Sequence, residues 1–239
     1  MDKSYERTTQ LGPAMAVLAP VSLVIVVFLR VSSIDSIVRS LIGIALTAGL
    51  HLIVMRTVRD RGNNVQRRLW RDWGGHPTAQ RLRWREHRAA EIQQLHRRVE
   101  SMTGVKLPTA ADERDDPLEA DDVYEDAVGR MREMTRDHAR FPRVYSELLQ
   151  YGTARNLYGA KPYGLAAASA ALVAATSLAI VTATTTVAVS WWSIAIAAIG
   201  ALVMLAIWLF RISPDYVRPA SDRYADALLA TANEPGAQL

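Results

Sequence analysis

Residues 163–210 read YGLAAASAALVAATSLAIVTATTTVAVSWWSIAIAAIGALVMLAIWLF, 48 positions without a single charge. A helix needs about twenty apolar residues to cross the roughly 30 Å of hydrocarbon in a bilayer. Two such runs lie here, 163–181 and 190–210, joined by the uncharged loop 182–189. They predict a transmembrane helical hairpin. Its first run carries Ala166, Ala167, Ala168, Ala170, Ala171, Ala174 and Ala175. Small residues let helix backbones approach closely in lipid, so this helix is expected to be buried against other spans. Trp191, Trp192 and Trp208 stand near the two ends of the second run, where an aromatic belt belongs.

A second pair of apolar runs lies at the other end of the chain. Residues 11–29 are again free of charge. A secretory signal has a shorter apolar core that ends in small residues, whereas this run ends in Leu29-Arg30-Val31, so a retained span is expected. Pro20 is tolerable in a membrane helix, where neighbours satisfy the freed carbonyl. Residues 34–55 are the least apolar of the four runs, with Asp35, Arg39 and His51. Asp35 and Arg39 stand four apart, on one helix face near the outer end, where they can snorkel or pair.

The expected fold class is therefore all-α: an integral membrane protein with two transmembrane hairpins flanking a helical cytoplasmic domain. The divisions are 1–55 (spans about 11–29 and 34–55), 56–162, 163–210 (spans about 163–181 and 190–210) and a tail, 211–239. Arg56, Arg59 and Arg61 follow the second run, Arg155 and Lys161 precede the third, and Arg211 and Arg218 follow the fourth. The bias of Lys and Arg toward one side places both termini and the centre in the cytoplasm.

Bulk composition hides this contrast. Mean hydropathy is +0.03 and net charge +4, but the central charges come in blocks. Residues 56–100 hold twelve arginines against five acids, and residues 112–126 hold nine acids and one arginine. Such blocks usually bind each other or a neighbouring subunit first. The absence of cysteine excludes disulfides, thiolate zinc sites and a cysteine nucleophile.

Within the central region a basic helix is expected to continue from the second run to Trp73, followed by a break at Gly74-Gly75-His76-Pro77. Thr78 is expected to cap the next helix, with Leu82, Ala89, Ile92, Leu95, Val99 and Met102 as its apolar stripe and Gly104 as its end. Thr109 can cap a short acidic turn through Asp112. Pro117 opens a further helix with Leu118, Val123, Ala127, Val128, Met131 and Met134 as its apolar face. A last helix, from Arg143 to about Leu157, is expected to pass through Gly159 and Pro162 into the membrane. After Pro214 and Pro219, residues 221–231 can form a short helix docking on the central domain.

No catalytic signature is present, so the chain is not expected to be an enzyme or to carry a cofactor. His87 and Glu91, with His96 near, have metal-ligand spacing, but a solvated helix face explains them as well. The block Trp70-Arg71-Asp72-Trp73-Gly74-Gly75-His76-Pro77-Thr78 is more distinctive. One reading is a ligand pocket formed by Trp73, His76, Arg81, Arg83, Trp84, Arg85 and Arg88, with amides suited to an anion and Trp84 able to stack on a base. The other is an elbow locking the helix that enters the domain, its arginines paired to the acidic block or to lipid phosphates. Arg155, in Tyr151-Gly152 to Lys161-Pro162, is either part of a coupling segment or a positive-inside anchor.

The segments Trp73-Gly74-Gly75-His76-Pro77-Thr78, Asp116-Pro117 to Tyr124, Thr135-Arg136-Asp137 with Phe141-Pro142, and Tyr151-Gly152 to Lys161-Pro162 resemble a bacterial family of four-span membrane proteins, most of them uncharacterised. The plan is more loosely similar to membrane effectors of antiphage systems, including the Hailong type. That resemblance implies a nucleotidyltransferase partner whose oligonucleotide product controls a channel. A pore would need several subunits, hence a homo-oligomer, with the second span as its lining through Asp35, Arg39, Thr47 and His51. The alternative is a non-conducting adaptor that holds a cytoplasmic partner at the lipid bilayer.

Overall fold

All regular secondary structure described in the computed structural model is helical. It describes residues 3–29, 36–186 and 189–233, and side chains within these outside 3–4, 6–7, 28–29 and 36–53. Helix α1 runs Lys3–Leu29, α2 Ser36–Asp72, α3 Pro77–Gln80, α4 Ala89–Thr103, α5 Ala110–Asp115 and α6 Pro117–Met134. Helix α7 follows at Pro142–Thr184, α8 at Trp191–Ala206 and α9 at Pro214–Ala230, with a π-turn, Ile207–Arg211, extending α8. Packing divides the chain into two units, Met1–Val65 with Gly152–Tyr216, and Gln66–Tyr151 with Val217–Leu239.

Among the described residues, three helical stretches are long and apolar enough to cross a membrane: Thr8–Val27, Pro142–Thr184 and Trp191–Arg211. All or most of each lies in the first unit. The run at 34–55 begins outside the described residues and continues in α2 at positions whose side chains are, up to residue 53, not described. From residue 160 onward the alanines of α7 are buried along one stripe, Ala160, Ala168, Ala171 and Ala175, while Ala166 and Ala170 are exposed. Helix α1 packs on α8. Val27 meets Ala175, Val189, Ile194 and Ala197 in one apolar cluster, and Val17 meets Val58, Ala160, Trp208 and Ile212 in another.

Close approach of backbones builds this unit. A methyl group added at Gly159 of α7 would stand 2.6 Å from the Gly62 amide nitrogen of α2, so the two helices touch main chain to main chain. Asn156, one turn before Gly159, is 1% exposed and donates from Nδ2 to the Thr9 carbonyl of α1 at 3.0 Å. Trp191 and Trp192 are exposed, but Trp208 is not a belt residue. Its indole lies against Gly164, where an added Cβ would come within 2.1 Å of the ring, and it is 1% exposed. The glycine leaves a slot that the large ring fills.

The helix expected to reach only about Leu157 does not end there. Helix α7 is continuous from Pro142 to Thr184 with Pro162 inside it. Lys161, expected as a membrane-edge anchor, donates from Nζ to the carbonyls of Leu209 and Ile212, at 3.2 and 2.7 Å. Those oxygens belong to the end of the π-turn, where a cation is favoured.

In the second unit, α4 packs on α6 and α3 on α6. Gly104 ends α4 in the left-handed region, at φ 70°, and Thr109 forms a capping box with Asp112 at the start of α5, both as the sequence implies. Ile92, Val99 and Met102 are buried along α4, but the helix starts at Ala89 and Leu82 lies before it in a turn. On α6 the buried residues are Ala120, Tyr124, Ala127, Val128 and Met131, while Leu118, expected on this face, is 79% exposed. Helix α9 begins at Pro214, earlier than expected, and buries Val217, Tyr224, Ala225, Leu228 and Leu229. The Thr231 hydroxyl, in the 3-10 turn Thr231–Asn233, reaches the Met102 sulfur of α4 at 3.9 Å, so the tail helix docks within this unit.

Candidate anion-binding groove

The elbow after α2 positions everything near it. Gly74 at φ 82° and Gly75 at φ 127° occupy conformations that side chains disfavour, so the chain reverses where only glycine is cheap. The Gly75 amide bonds the Trp70 carbonyl at 2.7 Å. Gln80 then stitches the turn, its amide nitrogen donating to the carbonyls of Trp73 and Gly75 at 2.7 and 2.8 Å. Thr78 does not cap the helix that follows. His76 does, its Nδ1 accepting from the Thr78 amide at 3.1 Å, with Pro77 at the first helical position. The His76 ring also packs on Trp70, centroids 4.3 Å apart. Burial, with a smaller effect from Arg132, lowers its pKa from 6.5 to about 4, so the cap is a neutral imidazole.

Two further residues of the predicted pocket turn inward. Arg83 forks onto Asp121 of α6, Nε–Oδ1 2.7 Å and Nη2–Oδ2 2.6 Å, and its Nη2 also donates to the Gly74 carbonyl at 2.9 Å. The hydrogen bond to Asp121 raises its pKa further. The Trp84 indole donates to the Pro108 carbonyl at 2.9 Å, and its ring stands edge-on to His96, 5.0 Å between centroids. Glu113 accepts from the Trp84 amide and, at 2.6 Å, from the Tyr124 hydroxyl. Burial, then that bond, pushes the Tyr124 pKa up. His96 Nε2 lies 2.6 Å from the Leu82 carbonyl, and Arg88 holds the Glu91 carboxylate. Among the described residues no cluster of three or more histidines and acids is placed to hold a metal.

The remaining arginines meet at an open cavity of about 580 Å³ between the elbow, α4 and α9. Arg81, Arg85, Arg88, Arg98 and Arg218 line it, with Glu91, Asp222 and Asp226 as its acids and Ile92, Leu95 and Leu229 as apolar surface. Arg81 donates from Nε to Asp226 at 2.7 Å and from Nη1 to Asp222 at 3.2 Å, and also reaches the main-chain oxygens of Pro77 and Asp222. Arg218 bonds Asp222 at 3.2 Å, its guanidinium carbon 4.8 Å from the centre of the Trp73 ring. Arg98 bonds Asn233. Arg85 is exposed, and its guanidinium makes no hydrogen bond or ion pair among the described residues. Guanidinium groups present planar forks that match carboxylate and phosphate oxygens, so the groove offers anion recognition.

Of the sequence-predicted pocket, Arg81, Arg85 and Arg88 come together here, and Trp73 backs Arg218. His76, Arg83 and Trp84 are tied into the elbow and the α4–α6 packing. Arg155 belongs to the first unit, where it donates to the Asn156 side chain at 3.3 Å. Asp35 lies outside the described residues, as do the side chains of Arg39, Thr47 and His51 on α2. Sequence reasoning missed Arg98, Arg218, Asp222 and Asp226. The signal was present in α9, where Arg218, Asp222 and Asp226 recur every fourth residue and so share a face. No protein-family model matches the chain, and neither a curated protein nor a solved structure is significantly similar to it.

Proposed function

We propose that the chain is a bacterial inner-membrane effector with four spans, both termini and its helical domain on the cytoplasmic side. It assembles as a homo-oligomer whose ion conductance is controlled by an anionic ligand at that domain. The ligand is a nucleotide or a single-stranded oligonucleotide made by a nucleotidyltransferase partner, and the role is antiphage defence, as the sequence resemblance implies. The observation that carries this reading is the conjunction of an arginine-lined groove in one unit with bare apolar helix faces in the other. Val173, Ile180, Ile196, Ile199, Leu202, Val203 and Phe210 are all at least 50% exposed. A soluble monomer rarely leaves so many large apolar side chains to water, and lipid is their natural solvent. The pore lining is assigned to the second run, through Asp35, Arg39, Thr47 and His51.

A second reading, the non-conducting adaptor, is favoured by one observation: Arg81, Arg83 and Arg218 already carry internal partners. Ion flux from liposomes containing the purified protein separates the two. A channel gives flux that changes on addition of oligonucleotide, and Arg39→Leu or His51→Leu alters it. Flux equal to that of empty liposomes, with and without oligonucleotide, sinks the channel and leaves the adaptor.

A further inference from the structure

We infer that the groove is a phosphate-binding site whose anion position is held at rest by two carboxylates of the protein itself, Asp222 and Asp226 of α9. The inference rests on the proposed reading that an anionic ligand acts through this unit, and it names the site, the ligand chemistry and what the ligand must displace. A cavity of about 580 Å³ lies within the size range of small-molecule sites, roughly 300–1,000 Å³. Five guanidinium groups face three carboxylates around it, an excess of two positive charges that the resident acids leave unneutralised.

The arrangement is that of an occupied anion site. Arg81 receives one carboxylate on Nε and another on Nη1, from residues one helical turn apart on a single element. A phosphate monoester offers three acceptor oxygens and close to two negative charges at neutral pH, so it can satisfy the same fork without α9. The Arg85 guanidinium makes no hydrogen bond or ion pair among the described residues and supplies the first uncommitted contact. Arg88 can join it, because its pair with Glu91 is exposed and exposed pairs hold weakly. Ligand entry therefore frees Asp222 and Asp226 from Arg81, and α9 loses its two carboxylate ties to the elbow while keeping the Arg218–Asp222 pair within the helix and the contacts of Arg218 with Gln80 and Trp73. Helix α9 follows the π-turn of α8 after only Ile212 and Ser213, so it is the element of this unit covalently nearest to α8.

The phosphate can belong to a soluble nucleotide or to a lipid headgroup, and calorimetry on the full chain distinguishes them. With the protein in phosphatidylcholine nanodiscs, ATP is expected to bind saturably. Arg85→Gln is expected to weaken that binding about tenfold, the loss of one charge-assisted contact. Asp222→Asn/Asp226→Asn is expected to tighten it at least threefold. Arg85-dependent retention of phosphatidic acid by the detergent-solubilised protein, without ATP binding, assigns the same site to a lipid phosphate. Absence of both, or binding indifferent to Arg85→Gln, overturns the inference, and an unchanged affinity in the double variant overturns the displacement. ATP binding without ion flux leaves the site standing and removes only the channel.

Discussion

His76 shows how a single side chain can be fixed by its neighbours rather than by its own propensity. Pro77 is best accommodated at the first position of a helix, which makes the residue before it the cap. That logic was legible in the sequence, yet Thr78 drew the assignment because hydroxyls are the commoner caps. Placed at the cap and under Trp70, the imidazole is buried neutral, with a pKa near 4 against 6.5 unfolded. The unfolded chain therefore takes up a proton between these values and the folded chain does not, so stability falls as the pH falls. His76 is expected to lose up to about 3 kcal/mol of stability between pH 6.5 and pH 4, and none above. Thermal unfolding of the full chain in detergent checks this, the difference between wild type and His76→Asn being compared at pH 7.5 and 4.5. A difference that does not change with pH removes the claim. Arg83→Ala is expected to cost about 1–2 kcal/mol by leaving Asp121 and the Gly74 carbonyl unpaired, since the fork is two-thirds buried. A double-mutant cycle with Asp121→Asn should show coupling of the same order, and additive effects would mean the fork contributes nothing.

At the scale of the element, α7 was the hardest to read. Gly159 and Pro162 look like punctuation, because both weaken a helix in water. Within the first unit they are compatible with it, and Gly159 is required for another reason, the approach of Gly62. Sequence alone shows a glycine without showing what stands over it. The alanine stripe was legible in kind but not in extent, since only packing partners decide which alanines are covered. Two glycines make a controlled comparison. Gly159→Ala puts a methyl group 2.6 Å from a backbone nitrogen and forces α2 and α7 apart, an overpacking cost of about 1–3 kcal/mol. Gly129, inside α6, has no atom within 4 Å of its would-be Cβ. Gly129→Ala is therefore expected to stabilise by about 0.5–1 kcal/mol through helix propensity alone. Opposite shifts in melting temperature are the expected result, and equal shifts would remove the close crossing from the account. Helix α9 misled for the converse reason: Pro214 and Pro219 suggested loop, yet one opens the helix and the other lies early within it.

Across the whole molecule the charge blocks were the most informative feature of the sequence. The basic stretch does meet the acidic one, through Arg83 on Asp121 and the Trp84 amide on Glu113. Arg81 instead finds its acids in the tail, where the four-residue spacing of Asp222 and Asp226 marks a shared face but not the partner it meets. The same charges set the orientation of the proposed membrane protein. Arginines and Lys161 flank the apolar runs on one side, while the loop 182–189 has none, and cationic flanks stay in the cytoplasm. The chain has no cysteine, so single cysteines can be labelled without background. In cells with a permeabilised outer membrane, Thr186→Cys is expected to react with a membrane-impermeant maleimide. Ala139→Cys is expected to react only after the inner membrane is opened. Both positions are exposed on the protein, so only a membrane can protect one of them. The reverse pattern would invert the topology and put the arginine groove outside the cell, beyond the reach of cytoplasmic nucleotides. Equal labelling of both would mean that the apolar faces of α7 and α8 are covered by protein rather than lipid, and the membrane reading would fall with the channel.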